Sequence, residues 1–192
     1  MTLPAGYEIA RPRLDELSQL PSIEAAAAAI FPPQDLAPQL RDYTHPVSFF
    51  EELSSAGRLW VARRLVPETP VGFAAVVLLD GTAHLEEMDV VPDHAGRGLG
   101  RALVDRVAQW ARGAGFDFLS LTTFRHLAWN APFYARLGFA EIPSEQMGVE
   151  LRAALAEEAA EGLDPVKRVA MRLDLRRPAG AARRRQPKCC AR

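Results

Sequence analysis

Apolar and polar positions along this chain follow two periods, and the switches between them outline the elements. Residues 166–175 alternate, with Val169, Met171, Leu173 and Leu175 on one side, which is the period of a strand with one buried face. Residues 99–112 carry Leu99, Leu103, Val107 and Trp110 on one stripe and Arg101, Asp105, Arg106 and Gln109 mostly opposite, which is the period of an amphipathic helix. The same criteria predict strands over 7–11, 58–66, 71–79, 83–91, 116–123 and 139–142, and helices over 13–30, 47–56, 129–137 and 145–160. Pro21 breaks or restarts the first helix, because proline is tolerated only in a first turn. Residues 67–70 read as a turn, Asp80-Gly81 as a hairpin signal, and 35–46 as irregular. No internal repeat is visible.

Composition narrows the class. At 192 residues, 48% hydrophobic and 24% charged, the chain fits one globular domain over 1–175 with a sizeable core. No apolar run reaches membrane-spanning length, and the N-terminus lacks the basic-then-apolar pattern of a leader. The only cysteines, Cys189 and Cys190, are neighbours; they cannot staple the fold and offer no metal-ligand spacing. A cytoplasmic protein without a metal is expected. The net charge of −1 hides an asymmetry: seven of the 23 basic residues lie in 176–192, leaving 16 against 24 acids before them. That basic tail, with Pro178, Gly180 and Pro187 and no interleaved aromatics, is expected to be disordered, and it disfavours nucleic acid as a partner.

The chemistry-bearing stretch is 83–110, which reads as strand, glycine loop and helix. Pro92 stops the strand, Gly96, Gly98 and Gly100 follow, and the helix opens at Leu99. Glycines let backbone approach a ligand closely, and the first N–H groups of a helix lack internal partners while the helix dipole adds positive potential there. Such a loop is an anion site suited to phosphate or pyrophosphate, and Arg97 and Arg101 add charge to it. It has no Gly-Lys-Ser/Thr of a P-loop, and Arg101 stands where a dinucleotide fingerprint needs its third glycine. A plain turn before a surface helix is the alternative reading.

Ala95-Gly96-Arg97-Gly98-Leu99-Gly100 resembles the acetyl-CoA signature R/Q-x-x-G-x-G/A of the GNAT-superfamily N-acyltransferases, departing from it at Ala95. Further on, Asn130, Phe133, Tyr134, Gly138 and Phe139 resemble the family's C-terminal signature, in the family's order and spacing. The resemblance implies an α+β fold: a mostly antiparallel sheet of six to seven strands flanked by helices, with the fourth and fifth strands splayed around acetyl-CoA. One helix is inserted before the last strand.

The resemblance further implies transfer of an acetyl group from acetyl-CoA, as cosubstrate, to a primary amine of a small molecule or protein. It places the pantetheine arm on Val90 and Val91, the pyrophosphate on Gly96, Arg97, Gly98, Leu99, Gly100 and Arg101, and a further cofactor contact on Asn130. Tyr134 matches the family tyrosine near the sulfur and is the candidate acid. Glu86 and Glu87 are the candidate base and amine anchor. On a regular strand they point to opposite faces, so only one is expected in the cleft, and Glu86 is favoured as base. Two acids in mid-strand mark a cleft or a salt bridge; Asp89 shares the Glu87 face, and His84 is read as structural or near-surface. Phe31, Asp35, His45, Phe49 and Phe50 are candidate acceptor lining, as are Arg125, His126 and Trp129. A homodimer is common in the family. The competing function is a non-catalytic acyl-CoA-binding module that mediates regulation or interaction.

Overall fold

The computed structural model describes residues 3–176; the basic tail expected over 176–192 lies, apart from Arg176, outside the described residues. The chain runs β1 (Tyr7–Ala10), α1 (Leu20–Ala28), α2 (Pro38–Arg41), α3 (Val47–Ser55), β2 (Leu59–Leu65), β3 (Glu68–Leu79), β4 (Thr82–Val90), α4 (Leu99–Gly113), β5 (Phe118–Phe124), α5 (Ala131–Arg136), β6 (Ala140–Glu141), α6 (Val149–Ala160) and β7 (Arg168–Asp174). The seven strands form one sheet in the order β1-β2-β3-β4-β5-β7-β6. All neighbours are antiparallel except β4 and β5. No helix among the described residues is long and apolar enough to cross a membrane.

Alternation along the central strands assigns the helices to two faces. Trp60, Ala62, Ala74, Val76 and Leu85 pack with Leu99, Leu103 and Val107 of α4 and with Tyr134 of α5. The intervening residues Leu59, Val61, Phe73 and Ala75 pack with Leu20 and Ile23 of α1 and with Phe50 and Leu53 of α3. On that second face Ala170 of β7 receives Leu151 and Leu155 of α6.

Two local departures from the expected elements have plain causes. The turn expected over 67–70 narrows to Val66 and Pro67, and β3 already begins at Glu68. Pro70 is carried in the ladder because the β2/β3 register shifts beside it, where a missing N–H is tolerated. The helix expected from 145 starts at Val149, after an extended Gly148. Its first turn is capped from another element: Asp80, in the β3–β4 turn, accepts hydrogen bonds from Glu150 N and Leu151 N, each 3.0 Å. Glu150 in turn accepts from Asp80 N. A Cβ at Gly148 would overlap the Asp80 carboxylate, so only glycine lets the two meet.

Candidate active site

The parallel pair β4/β5 is joined only at Ala83–Leu119 and His84–Ser120. Beyond that point the strands diverge. A cleft of about 1120 Å³ opens between them and continues past the start of α4, α5 and the C-terminal half of α6.

One end of the cleft is built from backbone. Gly96 and Gly98 have φ of 71° and 85°, in the region that favours glycine. A Cβ at either would meet nothing within 4 Å, so backbone conformation, not crowding, calls for glycine there. Gly98 is the N-cap of α4 without any side-chain cap, which leaves the first-turn N–H groups open toward the cleft. Gly96, Gly98, Leu99, Gly100, Arg101 and Val90 line the cleft. Arg101 reaches Asp105 only loosely, at 3.7 Å. Arg97 turns back toward the Asp93 carbonyl (3.4 Å), and Val91 donates its N–H to Val71 O (2.9 Å), closing the ladder to β3. Neither Arg97 nor Val91 is among the residues lining the cleft.

The other end is built from carboxylates. The β3/β4 register shifts between Ala75, opposite Glu87, and Val76, opposite Leu85, so Glu86 is the extra residue of a bulge. This corrects the expected alternation: Glu86 and Glu87 both line the cleft, with Asp89 beside them. Glu24 of α1 joins them, accepting from His45 N at 3.0 Å and lying 2.8 Å from His45 Nδ1. Ligand-type atoms of Glu24, His45 and Glu87 fall within 4.8 Å of one another, a set that can face a cation. Across the cleft, Glu157, Glu158 and Glu161 line it from α6 and its C-cap.

Electrostatics separates these acids from the rest of the molecule. Elsewhere buried charge is paired: Glu16 with Arg63, whose Nη2 donates over 2.7 Å, and Asp35 with Lys167 at 2.8 Å. Among the described residues, no cation is bonded to Glu87 or Asp89. Burial, then the Asp89 and Glu24 charges, raise Glu87 well above the usual carboxylate range. Burial and the Glu24 charge raise Asp89 to about 8, against a hydrogen bond with Glu87. Burial also raises Glu86, with His45 opposing and the Glu158 and Glu157 charges adding to it. His45 is raised overall: burial opposes its charged form, but the Glu24 bond and the Glu87 and Glu86 charges outweigh it. His84 is fully buried rather than near-surface, lies 2.9 Å from Ser120 Oγ, and is lowered by burial to about 4.

Tyr134 packs on the α4 face, yet Glu87 and Asp89 act on its hydroxyl through the gap between the strands. Burial and those two charges hold its pKa far above the ordinary phenol range. Two enclosed side-chain oxygens in the cleft wall, Asp89 Oδ2 and Asn130 Oδ1, have no hydrogen-bond partner among the described residues.

A family model for the acetyltransferase (GNAT) family matches residues 20–139. The chain belongs to the GNAT family. A streptothricin acetyltransferase of Streptomyces lavendulae is 41% identical over 73 residues, which cover 36% of this chain and 38% of that protein. The match therefore spans well under half the length of this curated relative. Rv2747 of Mycobacterium tuberculosis, solved in complex with CoA, superposes with a TM-score of 0.61 at 24% identity, over 87% of this chain and 98% of that one. The PaiA N-acetyltransferase of Thermoplasma acidophilum, solved with coenzyme A, gives 0.62 at 14% identity, over 88% and 98%. At these identities the two structures share its GNAT fold.

Of the expected acceptor lining, Phe31, His45 and Trp129 reach the cleft. Asp35 is taken up by Lys167 and His126, and Arg125 by Glu141. Phe50 is core against Phe73, and Phe49 stacks on His45 with ring centres 4.1 Å apart. Glu24 and the acids of α6 were not among the expected site residues. Glu24 follows Leu20 by one helical turn, on the buried stripe of α1, and that spacing is the signal for it.

Proposed function

We propose that this GNAT protein transfers an acetyl group from acetyl-CoA to a primary amine held at the carboxylate end of the cleft. The observation that carries this reading is the pairing of an open helix N-terminus with unneutralised acids at opposite ends of one cleft. Gly96, Gly98, Gly100 and the first turn of α4 hold the pyrophosphate, with Arg101 adding charge. Val90 and the unpaired edge of β4 guide the pantetheine arm, and Asn130 Oδ1 accepts from it. Arg97 and Val91 contribute through loop and strand geometry.

An amine arrives protonated at neutral pH and must lose a proton before it attacks. The proposed acceptor of that proton is the Glu87–Asp89 pair, with Glu86 closer to solvent as an anchor. A carboxylate raised toward neutrality is both strong enough to take the proton and able to release it later. His45, held by Glu24 through ring and backbone, is the route by which the proton reaches solvent. As the C–S bond breaks, Tyr134 protonates the departing thiolate; its raised pKa keeps the hydroxyl protonated until then. Holding amine and thioester together supplies the remaining advantage, because the thioester is already reactive.

Calorimetric titration of acetyl-CoA into the protein, with desulfo-CoA and ATP alongside, tests the donor half. Micromolar binding of both CoA forms but not ATP is expected. Equal binding of ATP, or no binding of acetyl-CoA, overturns the reading.

A further inference from the structure

The sheet face that carries α4 holds a second, smaller hollow, separate from the cleft. It encloses about 250 Å³ and is lined by Ala10 at the end of β1, Arg11 just beyond it, Trp60 of β2, and Arg106, Gln109 and Trp110 of α4. None of these residues lines the cleft. Arg106, Gln109 and Trp110 are spaced by three and four positions, so they share one stripe of the helix. Trp110 packs edge-on against Trp60 with ring centres 5.4 Å apart, which fixes that stripe on β2.

Arg11 is held in place without being neutralised. Its Nη1 donates to Leu59 O over 3.1 Å, and its guanidinium carbon lies 4.1 Å from the centre of the Trp60 ring. Its own carbonyl accepts from Arg63 Nη2 over 3.3 Å, and Arg63 is locked in turn to Glu16 and Glu8. Arg106 brings a second positive charge to the same hollow. Among the described residues, neither arginine has a carboxylate partner and no acid lines the hollow. Arg63 on β2 and Arg168 on β7 are, by contrast, each neutralised, by Glu16 and by Glu158. Burial, then the Arg106 charge, lower Arg11 from its ordinary value. Two like charges thus act on each other at one spot, and an anion between them removes that cost.

We propose that this hollow is a second anion site, which binds a terminal phosphate group between Arg11 and Arg106 with the Gln109 amide as a further donor. Two guanidiniums match the charge of a dianion, and each is a planar fork of N–H donors. A carboxylate has two oxygens in one plane and is used up by a single fork. A phosphate presents three terminal oxygens that diverge, which suits donors arriving from a strand end and from a helix. Its sources are free inorganic phosphate and a phosphomonoester of a small metabolite. The site shares no residue with the cleft, so it stands apart from the acetyl-transfer reading.

The test titrates inorganic phosphate, glycerol 3-phosphate and acetate into the full chain saturated with desulfo-CoA, read by calorimetry and tryptophan emission. Desulfo-CoA keeps phosphate off the glycine loop, while Trp60 and Trp110 report from the wall of the hollow. Saturable binding of at least one phosphate compound, with a change in emission, is expected, and acetate is expected to bind about tenfold more weakly or not at all. Arg106→Gln is expected to weaken phosphate binding about tenfold or more, the loss of one charge-assisted fork. Arg106 is exposed and unpartnered among the described residues, so the variant keeps the fold. Gln109→Glu puts a carboxylate beside the two guanidiniums and is expected to abolish binding. Tighter binding of glycerol 3-phosphate than of phosphate supports the site with a phosphomonoester as its ligand; equal or weaker binding supports it with free phosphate. No binding of either, acetate binding as tightly, or binding that neither variant weakens overturns the proposal. If desulfo-CoA itself fails to bind, the acetyl-transfer reading falls. The same titrations of the free protein then decide this proposal through Arg106→Gln, which leaves the glycine loop untouched.

Discussion

The two ends of the cleft are made of different materials. The loop end uses main chain: two glycines at positive φ and the bare first turn of α4. The acidic end uses side chains drawn from α1, the β4 bulge and α6, segments more than 130 residues apart in sequence. Backbone N–H groups carry a fixed partial charge that does not titrate, so the loop end presents the same field at any physiological pH. The acidic end is adjustable, because burial and mutual repulsion move its carboxyl groups toward neutrality. A donor that is always the same molecule suits the first; an acceptor that must shed a proton suits the second.

Substitutions that break one end and spare the other test this division. Glu87→Gln removes the proposed proton acceptor and is expected to lower kcat/KM by about 100-fold or more, in the range of general-base losses, with acetyl-CoA affinity retained in calorimetry. Gly98→Val forces a β-branched residue to φ near 85° and is expected to weaken acetyl-CoA binding by about tenfold or more, since such backbone costs roughly 1–2 kcal/mol even for an unbranched L-residue. Tyr134→Phe is expected to lower kcat about tenfold, or about 1.4 kcal/mol of barrier, with acetyl-CoA binding nearly unchanged. Unchanged turnover removes Tyr134 from the acid role.

The pH dependence sharpens the contrast further. Asp89 is raised from 3.8 to about 8, so between those values the folded protein holds a proton that the unfolded chain has released. Its contribution to stability is present below about 4 and is lost as pH rises through about 8. Melting temperature of the ligand-free protein is expected to fall across that window, and less so in Asp89→Asn. The rate with an amine is expected to rise over the same window as the pair ionises. The smallest effect is expected from Asp80→Ala, which uncaps α6: a lower melting temperature and a few-fold rise in acceptor KM, with acetyl-CoA affinity unchanged.

The same division explains what was legible in the sequence. A backbone site needs particular residues at particular spacings, so Gly96, Gly98 and Gly100 announced it, and the order of strands and helices followed from periodicity. The acidic end has no local signature. Glu86 and Glu87 were expected on opposite faces because strand alternation is the default. The bulge that puts both in the cleft arises from register with β3, which no single stretch encodes. Glu24 hid in an alanine-rich helix, and Glu157 and Glu161 lie at the end of a helix whose place beside the cleft only the fold reveals.

The attachment of α6 has a consequence for how such a protein can diversify. The helix meets the β3–β4 turn through Asp80, with Gly148 as the seam, and meets β7 through Arg168. Neither joint touches the glycine loop. A graft that keeps the seam and the far anchor can therefore exchange the α6 wall of the cleft as a cassette, leaving the glycine loop intact.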